Sequence, residues 1–401
     1  MKPYKLQWKY LRLRGNILAL GQNEGVSHPL LPRTILSEFV PVYRPYLGGN
    51  EKQYVNQCLD SSWISSKGIF VERFERAFAD FVGASHVTSV CNGTVALHLA
   101  LEALGFAPQD EVIVPTLTYI ASVNTIIQAG ATPVFADSLD ATWQVDPRDV
   151  RRKITSRTKA LMVVHLYGHP CDMDELVKIC EEYNLYLIED CAEAFGTYYK
   201  GRHVGTFGDV ATFSFYGNKT ITTGEGGMVV AKNKDLIARA FHLKTQAVSP
   251  EREYWHDAVG YNYRMTNICA AIGVAQMENA RVVLEKKRQI AQGYRQGLQG
   301  LPLKTLDELP DTKSSFWMCS IIVDDPLVCR PLRDWLRAAN VETRPLFHPC
   351  HTLPHCRVDE SFPVAQSLSA RGINLPSFPE LSRETVNDIC ESIHSFFRAL
   401  N

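Results

Sequence analysis

Lys219 stands where amine chemistry is feasible in this 401-residue chain. It follows a β-prone run, residues 211–215, and precedes a small-residue turn with Gly224, Gly226 and Gly227 and a second β-prone run, 228–231. Glycine lacks a Cβ, so backbone there can crowd a ligand. A lysine framed in this way suits a Schiff base with a carbonyl cofactor. A surface lysine in a glycine-rich hairpin would read the same, so the remaining residues must decide.

Asp190 stands just past the apolar run 185–188, at the carboxyl end of a strand, where sheets of this kind bind ligands. A buried acid needs a cationic partner, and a protonated pyridine nitrogen would be one. A structural or capping acid is the other reading. Asn92-Gly93-Thr94 leads from a short strand into an apolar helix, so free N–H groups at the helix start could bind phosphate, or Asn92 could simply cap it. Tyr119, soon after another strand, could present an aromatic face or merely pack. His348, Cys350, His351, His355 and Cys356 are dense enough to suggest zinc. Their spacings fit no finger or ribbon, and Pro349 and Pro354 restrict the loop. No metal is expected there, but rather a substrate-facing loop with one useful histidine.

These residues need a scaffold, and the chain supplies an alternation of short strands and helices. Strands are expected at 87–91, 111–115, 133–136, 160–165 and 185–189, with helices at 95–104, 119–129, 147–154 and 173–183 between them. That order implies βαβ units and a mostly parallel sheet. Amphipathic helices at 51–59 and 70–81 precede it. A long helix, 267–298, reads as a bridge to a smaller α/β domain with a strand at 317–323 and helices at 331–339 and 383–399. The expected division is an extension over residues 1–38, a large domain over 39–265, and the bridge and small domain over 266–401.

Bulk properties narrow the function. The formal net charge is −1, which shows no footprint for nucleic acid or an anionic membrane. No apolar run is long enough to span a bilayer. The 11 cysteines are scattered without a Cys-x-x-Cys pair, which fits a reducing cytoplasm better than a disulfide framework. The basic residues Lys2, Lys5, Lys9, Arg12 and Arg14 interrupt the apolar ones near the start, so no secretory core is expected and a loosely ordered extension is.

Together the lysine, the acid, the helix start and the aromatic supply what pyridoxal phosphate requires. From about residue 39 onward the chain resembles the DegT/DnrJ/EryC1/StrS family of sugar-nucleotide aminotransferases. The resemblance rests on Asn92-Gly-Thr-Val-Ala-Leu97, Ile188-Glu-Asp-Cys-Ala-Glu-Ala194, Phe215-Tyr-Gly-Asn-Lys-Thr-Ile-Thr-Thr-Gly-Glu-Gly-Gly227 and Gly260-Tyr-Asn-Tyr-Arg-Met-Thr-Asn-Ile268, with segments 59–68, 114–124, 164–173 and 372–377. It implies a fold type I enzyme dependent on pyridoxal 5'-phosphate. Lys219 is implied as the lysine that holds the cofactor and shuttles a proton. Asp190 is implied as the partner of the ring nitrogen, Tyr119 as the stacking residue, and Gly93, Thr94 and Ser214 as phosphate contacts. Glu193 is implied as a residue beside the ring. Asn262 matches a residue that reaches the neighbouring subunit's phosphate, which implies a homodimer with shared active sites. Trp63, Ser65, Arg344 and His348 are implied for the sugar nucleotide. The implied reaction moves the amino group of L-glutamate to C4 of a 4-keto-6-deoxy sugar nucleotide, with GDP-4-keto-6-deoxy-mannose preferred over UDP- or dTDP-linked sugars. A cofactor-binding regulator without activity is the alternative outside enzymes. Relatives carry Gly-Gln-Gly where this chain reads Lys244-Thr-Gln-Ala247, which predicts an altered loop.

Overall fold

The computed structural model describes residues 35–400 and two short strands, Leu11–Leu13 and Asn16–Leu18, which pair antiparallel. The remaining expectations for residues 1–34 lie outside the described residues. Seven strands form the central sheet, in the order Val87–Val90, Gly227–Ala231, Val210–Ser214, Tyr186–Asp190, Thr158–Val164, Glu111–Pro115, Thr132–Ala136. Neighbours run parallel except Gly227–Ala231, which is antiparallel to both of its partners. Glu111–Pro115 is buried throughout, as a strand covered by helices on both faces must be. The α/β class and the mostly parallel sheet expected from the alternation are therefore present.

The helix Ile69–Val82 shows why the sequence folds this way. Phe70, Phe74, Phe78 and Val82 fall on one helical stripe and are buried, and Gly83 ends the helix in the left-handed conformation at φ +77°. Phe78 packs edge-on against Phe213 of the sheet and Phe215 just past that strand's end, with ring centroids 4.9 and 5.7 Å away. Truncating such a ring to alanine costs about 3–5 kcal/mol. This packing fixes the strand that leads to Lys219.

Asn267–Gly297 is one helix of 31 residues, capped by the Thr266 side chain on the Cys269 N–H. Its early turns pack on Glu51–Asp60 and Ile69–Val82, and it also packs on the closing helix Arg383–Leu400. It therefore spans from the first two helices to the last. The small domain is a four-stranded antiparallel sheet in the order Leu303–Thr305, Cys319–Val323, Gly372–Leu375, Arg344–Pro345.

Three expectations change. Residues 36–40 hydrogen-bond to the small domain, through Leu36 N–H to the Ala339 carbonyl at 3.2 Å and Val40 N–H to that of Asn340 at 2.9 Å. Leu36 and Val40 are buried in the small-domain core, so this segment belongs with that domain rather than with a free extension or the large domain. The helix expected from Pro331 begins at Pro326 because Asp325 caps the Leu327 N–H, and Pro331 lies inside it. Trp317 stands before its strand, which begins at Cys319.

Candidate active site

Asp190 is the last residue of its strand, not the residue after it, and is 4% exposed. Its Oδ2 accepts from the Ser122 hydroxyl at 2.7 Å and its Oδ1 from the Ala192 N–H at 3.0 Å. Burial raises its pKa above the ordinary carboxylate value, and those two bonds and the charge of Lys219 only partly offset this. Ser122 reaches it from the buried face of the helix Ala121–Gln128.

Lys219 sits on a loop closed at its base. Phe215 N–H donates to the Gly226 carbonyl at 2.8 Å, and Thr223 N–H donates to that of Phe215 at 2.9 Å. The ammonium lies 3.9 Å from Glu193 Oε1 and 4.0 Å from the centre of the Trp317 ring. Burial lowers its pKa, opposed by Glu193 and Asp190. Glu193 is itself pushed up to about 7 by burial, against the pull of Lys219 and the Tyr167 N–H. That N–H donates to Glu193 Oε2 at 2.8 Å from a residue held at φ +55°. A buried amine between two acids whose carboxyls resist ionising is a proton-transfer arrangement.

The glycines after Lys219 do not face a ligand as expected. A Cβ on Gly227 would lie 2.5 Å from the Asn92 carbonyl oxygen, and one on Gly226 would meet Thr223 and Met265. Gly224 takes φ +79° in the turn. Gly226 and Gly227 thus pack on the chain itself, while Gly224 supplies the left-handed turn.

Asn92 caps the helix Gly93–Leu104 through the Val95 N–H at 3.0 Å. The Gly93 and Thr94 N–H groups ahead of it have no partner among the described residues. Ser214, which ends its strand, closes on the same turn: a Cβ on Gly93 would lie 2.5 Å from the Ser214 Cβ. The result is an anion cradle of two free amides, a hydroxyl and the positive helix end.

Residues 45–394 match the model of the DegT/DnrJ/EryC1/StrS aminotransferase family. The chain belongs to that family. GDP-perosamine synthase of Escherichia coli O157:H7 is 55% identical to it over 361 residues, spanning 90% of this chain and 99% of that protein. The Vibrio cholerae protein of the same name is 52% identical, over 90% and 100% of the two chains. The PLP form of the putative sugar aminotransferase Spr1654 from Streptococcus pneumoniae superposes with a TM-score of 0.86 at 26% identity, covering 90% of this chain and 100% of that one. The chain is thus a pyridoxal-phosphate-dependent aminotransferase of the DegT/DnrJ/EryC1/StrS family.

The donor set fits that cofactor. Asp190 is a buried acid short of a cation, the cradle offers unpartnered amides to a phosphate, and Lys219 offers a buried amine. The structure gathers Lys219, Asp190 and Glu193 in one cluster and Gly93, Thr94 and Ser214 in another. Tyr119 lies outside the helix expected to hold it, 56% exposed, with Phe347 at 5.6 Å. Asn262 is exposed and accepts from the Arg264 guanidinium at 3.0 Å.

Of the residues implied for the sugar nucleotide, Trp63 and Ser65 lie on an exposed loop whose carbonyls accept from Asn267 at 2.7 and 2.5 Å. Arg344 and His348 are exposed, and Arg344 pairs with Glu342 at 2.9 Å. The dense histidine and cysteine run is dispersed among separate partners. His351 bonds to Thr116 and His355 to Asn124, while the Cys350 thiol donates to the Thr118 carbonyl and that of Cys356 to the Cys350 carbonyl. His165, Glu189 and Cys191 converge in the core instead, but Glu189 is already committed to hydrogen bonds there.

The loop lacking the two glycines keeps a left-handed path all the same. Gln246 and Ala247 adopt φ +68° and +50°, and a Cβ on Gly260 would lie 2.3 Å from Gln246. Sequence reasoning missed Ser122, Tyr43, Tyr167 and Trp317. Only Trp317 gave any signal, as a tryptophan entering a strand.

Proposed function

We propose that this enzyme moves the amino group of L-glutamate to C4 of GDP-4-keto-6-deoxy-D-mannose, giving GDP-perosamine for a surface polysaccharide. The observation that carries the substrate is identity of 52–55% along nearly the whole length of two GDP-perosamine synthases. The buried Lys219–Asp190–Glu193 cluster carries the chemistry.

Pyridoxal phosphate, when bound, supplies an electron sink for breaking bonds at the amine-bearing carbon. The Lys219 amine would hold the cofactor, and it is the group placed to take up and return a proton there. Asp190 would pair with a protonated ring nitrogen, a cation that would offset the charge that burial makes costly. Gly93 and Thr94 amides and the Ser214 hydroxyl would bind the phosphate, and Tyr119 and Glu193 would contact the ring. Trp63, Ser65, Arg344 and His348 face the nucleotide sugar. Two copies share their sites, with Asn262 reaching the partner's phosphate, and the pair works in the cytoplasm.

Mass spectrometry of the product from glutamate and GDP-4-keto-6-deoxy-mannose tests the reading directly. The expected product replaces the C4 oxygen with an amine. If only UDP- or dTDP-linked ketosugars accept the amine in competition, the GDP assignment falls. Lys219→Ala is expected to lose both turnover and borohydride-trapped cofactor. On mixing, Lys219→Ala and an Asn262→Asp variant are expected to regain activity if sites are shared. Continued inactivity of the mixture would remove Asn262 from that role.

A further inference from the structure

The Lys219 loop is held from outside its own sheet, at two consecutive carbonyls. The Trp317 indole N–H donates to the Asn218 carbonyl at 2.7 Å, and the Tyr43 hydroxyl donates to the Lys219 carbonyl at 2.6 Å. Neither donor is near Lys219 in the chain. Trp317 precedes the small-domain strand Cys319–Val323, and Tyr43 comes from the segment before the first large-domain helix.

Both donors are themselves fixed. Tyr43 lies against Lys287 of the long helix, whose ammonium is 5.0 Å from the ring centre and donates to the Ser377 carbonyl at 2.6 Å. Lys287 has no exposed surface. The Trp317 ring stacks on Tyr167 at 6.1 Å and 9°, and Tyr167 stacks on Phe347 at 5.4 Å. Phe347 in turn meets Tyr119 at 5.6 Å. A ladder of aromatic rings thus runs from Tyr119 to Lys219, with small-domain and large-domain residues interleaved. Its last ring presents its face to the Lys219 ammonium at 4.0 Å. A cation over an indole face is attracted by the ring quadrupole, most strongly when desolvated.

We infer that Trp317 and Tyr43 are positioning residues for Lys219: they clamp the two carbonyls of its loop, and the Trp317 ring also favours its protonated form. The inference rests on Lys219 being the reactive amine. The charged groups facing that amine are Glu193 and Asp190, both from the end of the strand Tyr186–Asp190 and the turn after it. Trp317 adds an uncharged contribution from the opposite domain. Removing its ring withdraws stabilisation from the ammonium, so the amine becomes neutral at lower pH.

The test uses the full-length protein, with borohydride trapping of pyridoxal phosphate mapped to Lys219 by peptide mass spectrometry. The pH dependence of Lys219 labelling by an amine-reactive reagent is measured alongside in protein stripped of cofactor. For Trp317→Leu the labelling midpoint is expected to fall by about 1 pH unit, the size of a desolvated cation–π contact. For Trp317→Phe and Tyr43→Phe, each keeping a ring but losing its donor, trapping is expected to slow by about 5- to 10-fold, one hydrogen bond's worth, with the midpoint unchanged. An unshifted midpoint in Trp317→Leu, or wild-type trapping in both phenylalanine variants, overturns the inference. Should Trp317→Leu fail to fold, the two phenylalanine variants decide it. A wild-type protein that traps no cofactor at Lys219 would instead overturn the assignment of the lysine.

Discussion

Glu189 and Asp190 are consecutive residues of one strand, and the pleat sends them to opposite faces. Both are buried, at 0% and 4% exposure, yet their surroundings differ in kind. Glu189 accepts from the N–H groups of Gly205 at 2.7 Å, Phe207 at 2.8 Å and Gly208 at 2.6 Å, and from His165 at 3.1 Å. The His165 Nδ1 accepts from the Cys171 N–H, so its Nε2 carries the proton that Glu189 receives. Burial pushes Glu189 upward, but His165 and the amides of Gly205 and Gly208 outweigh it and hold the carboxyl below its usual range. Asp190 has two such bonds, and burial wins. A carboxylate answered on every side by its own chain holds the fold together. One left short of positive charge waits for it from a ligand.

The largest expected effect separates the two acids by activity. In the role proposed for Asp190, asparagine could not stabilise a protonated ring nitrogen, and turnover of Asp190→Asn is expected to fall about 100- to 1,000-fold, the usual cost of losing one preorganised electrostatic partner. Because the substitution removes a poorly compensated charge, the cofactor-free protein should melt no earlier than wild type. A melting temperature that drops with activity would make Asp190 a structural acid like its neighbour.

Glu189→Gln reverses the pattern. The amide nitrogen would face N–H donors at a fully buried position, so a loss of about 3 kcal/mol of folding stability is expected in denaturant titration. Lys219 trapping per folded molecule should persist. The lowered Glu189 pKa makes this contribution full above the unfolded carboxylate value and lost as pH falls through the folded one, so wild type and variant should converge in acid. A smaller change tests how far Asp190 depends on its few partners. Ser122→Ala removes its hydroxyl donor, and cofactor affinity is expected to weaken about 10-fold, one hydrogen bond to a charged group. Unchanged affinity would mean that the Ala192 N–H alone orients the acid.

The placement of Asp190 at a strand end was legible in the sequence because such an end is marked by where the apolar run stops, and that of Lys219 on a loop because glycines punctuate it. The sheet was legible for the same reason, since period and punctuation are local. Glu189 carries the same kind of side chain one position earlier, and nothing local distinguishes it. Its partners arrive from 165 and 205–208, and only folding brings them together. Trp317 and Tyr43 lie 99 and 176 residues from the carbonyls they clamp, and such tertiary hydrogen bonds leave no period to read. The glycines illustrate the converse: their positions were plain, but whether they faced a ligand or the Asn92 carbonyl was a question of packing.

Glu193 falls between the two acids and gives the finest test of the distinction. It has a backbone donor in Tyr167 and a cation in Lys219, yet burial still lifts it to about 7. Its folded value thus exceeds its unfolded one. The associated stability is full below the unfolded value and lost as pH rises through the folded one, opposite to Glu189. Between about pH 6 and pH 8 the cofactor-free protein is expected to lose about 1 kcal/mol of stability that a Glu193→Gln variant retains. Denaturant titrations of both proteins across that interval measure the difference. Parallel curves would mean that Lys219 already compensates Glu193 in full, which would place it with Glu189 as an acid satisfied by its own chain.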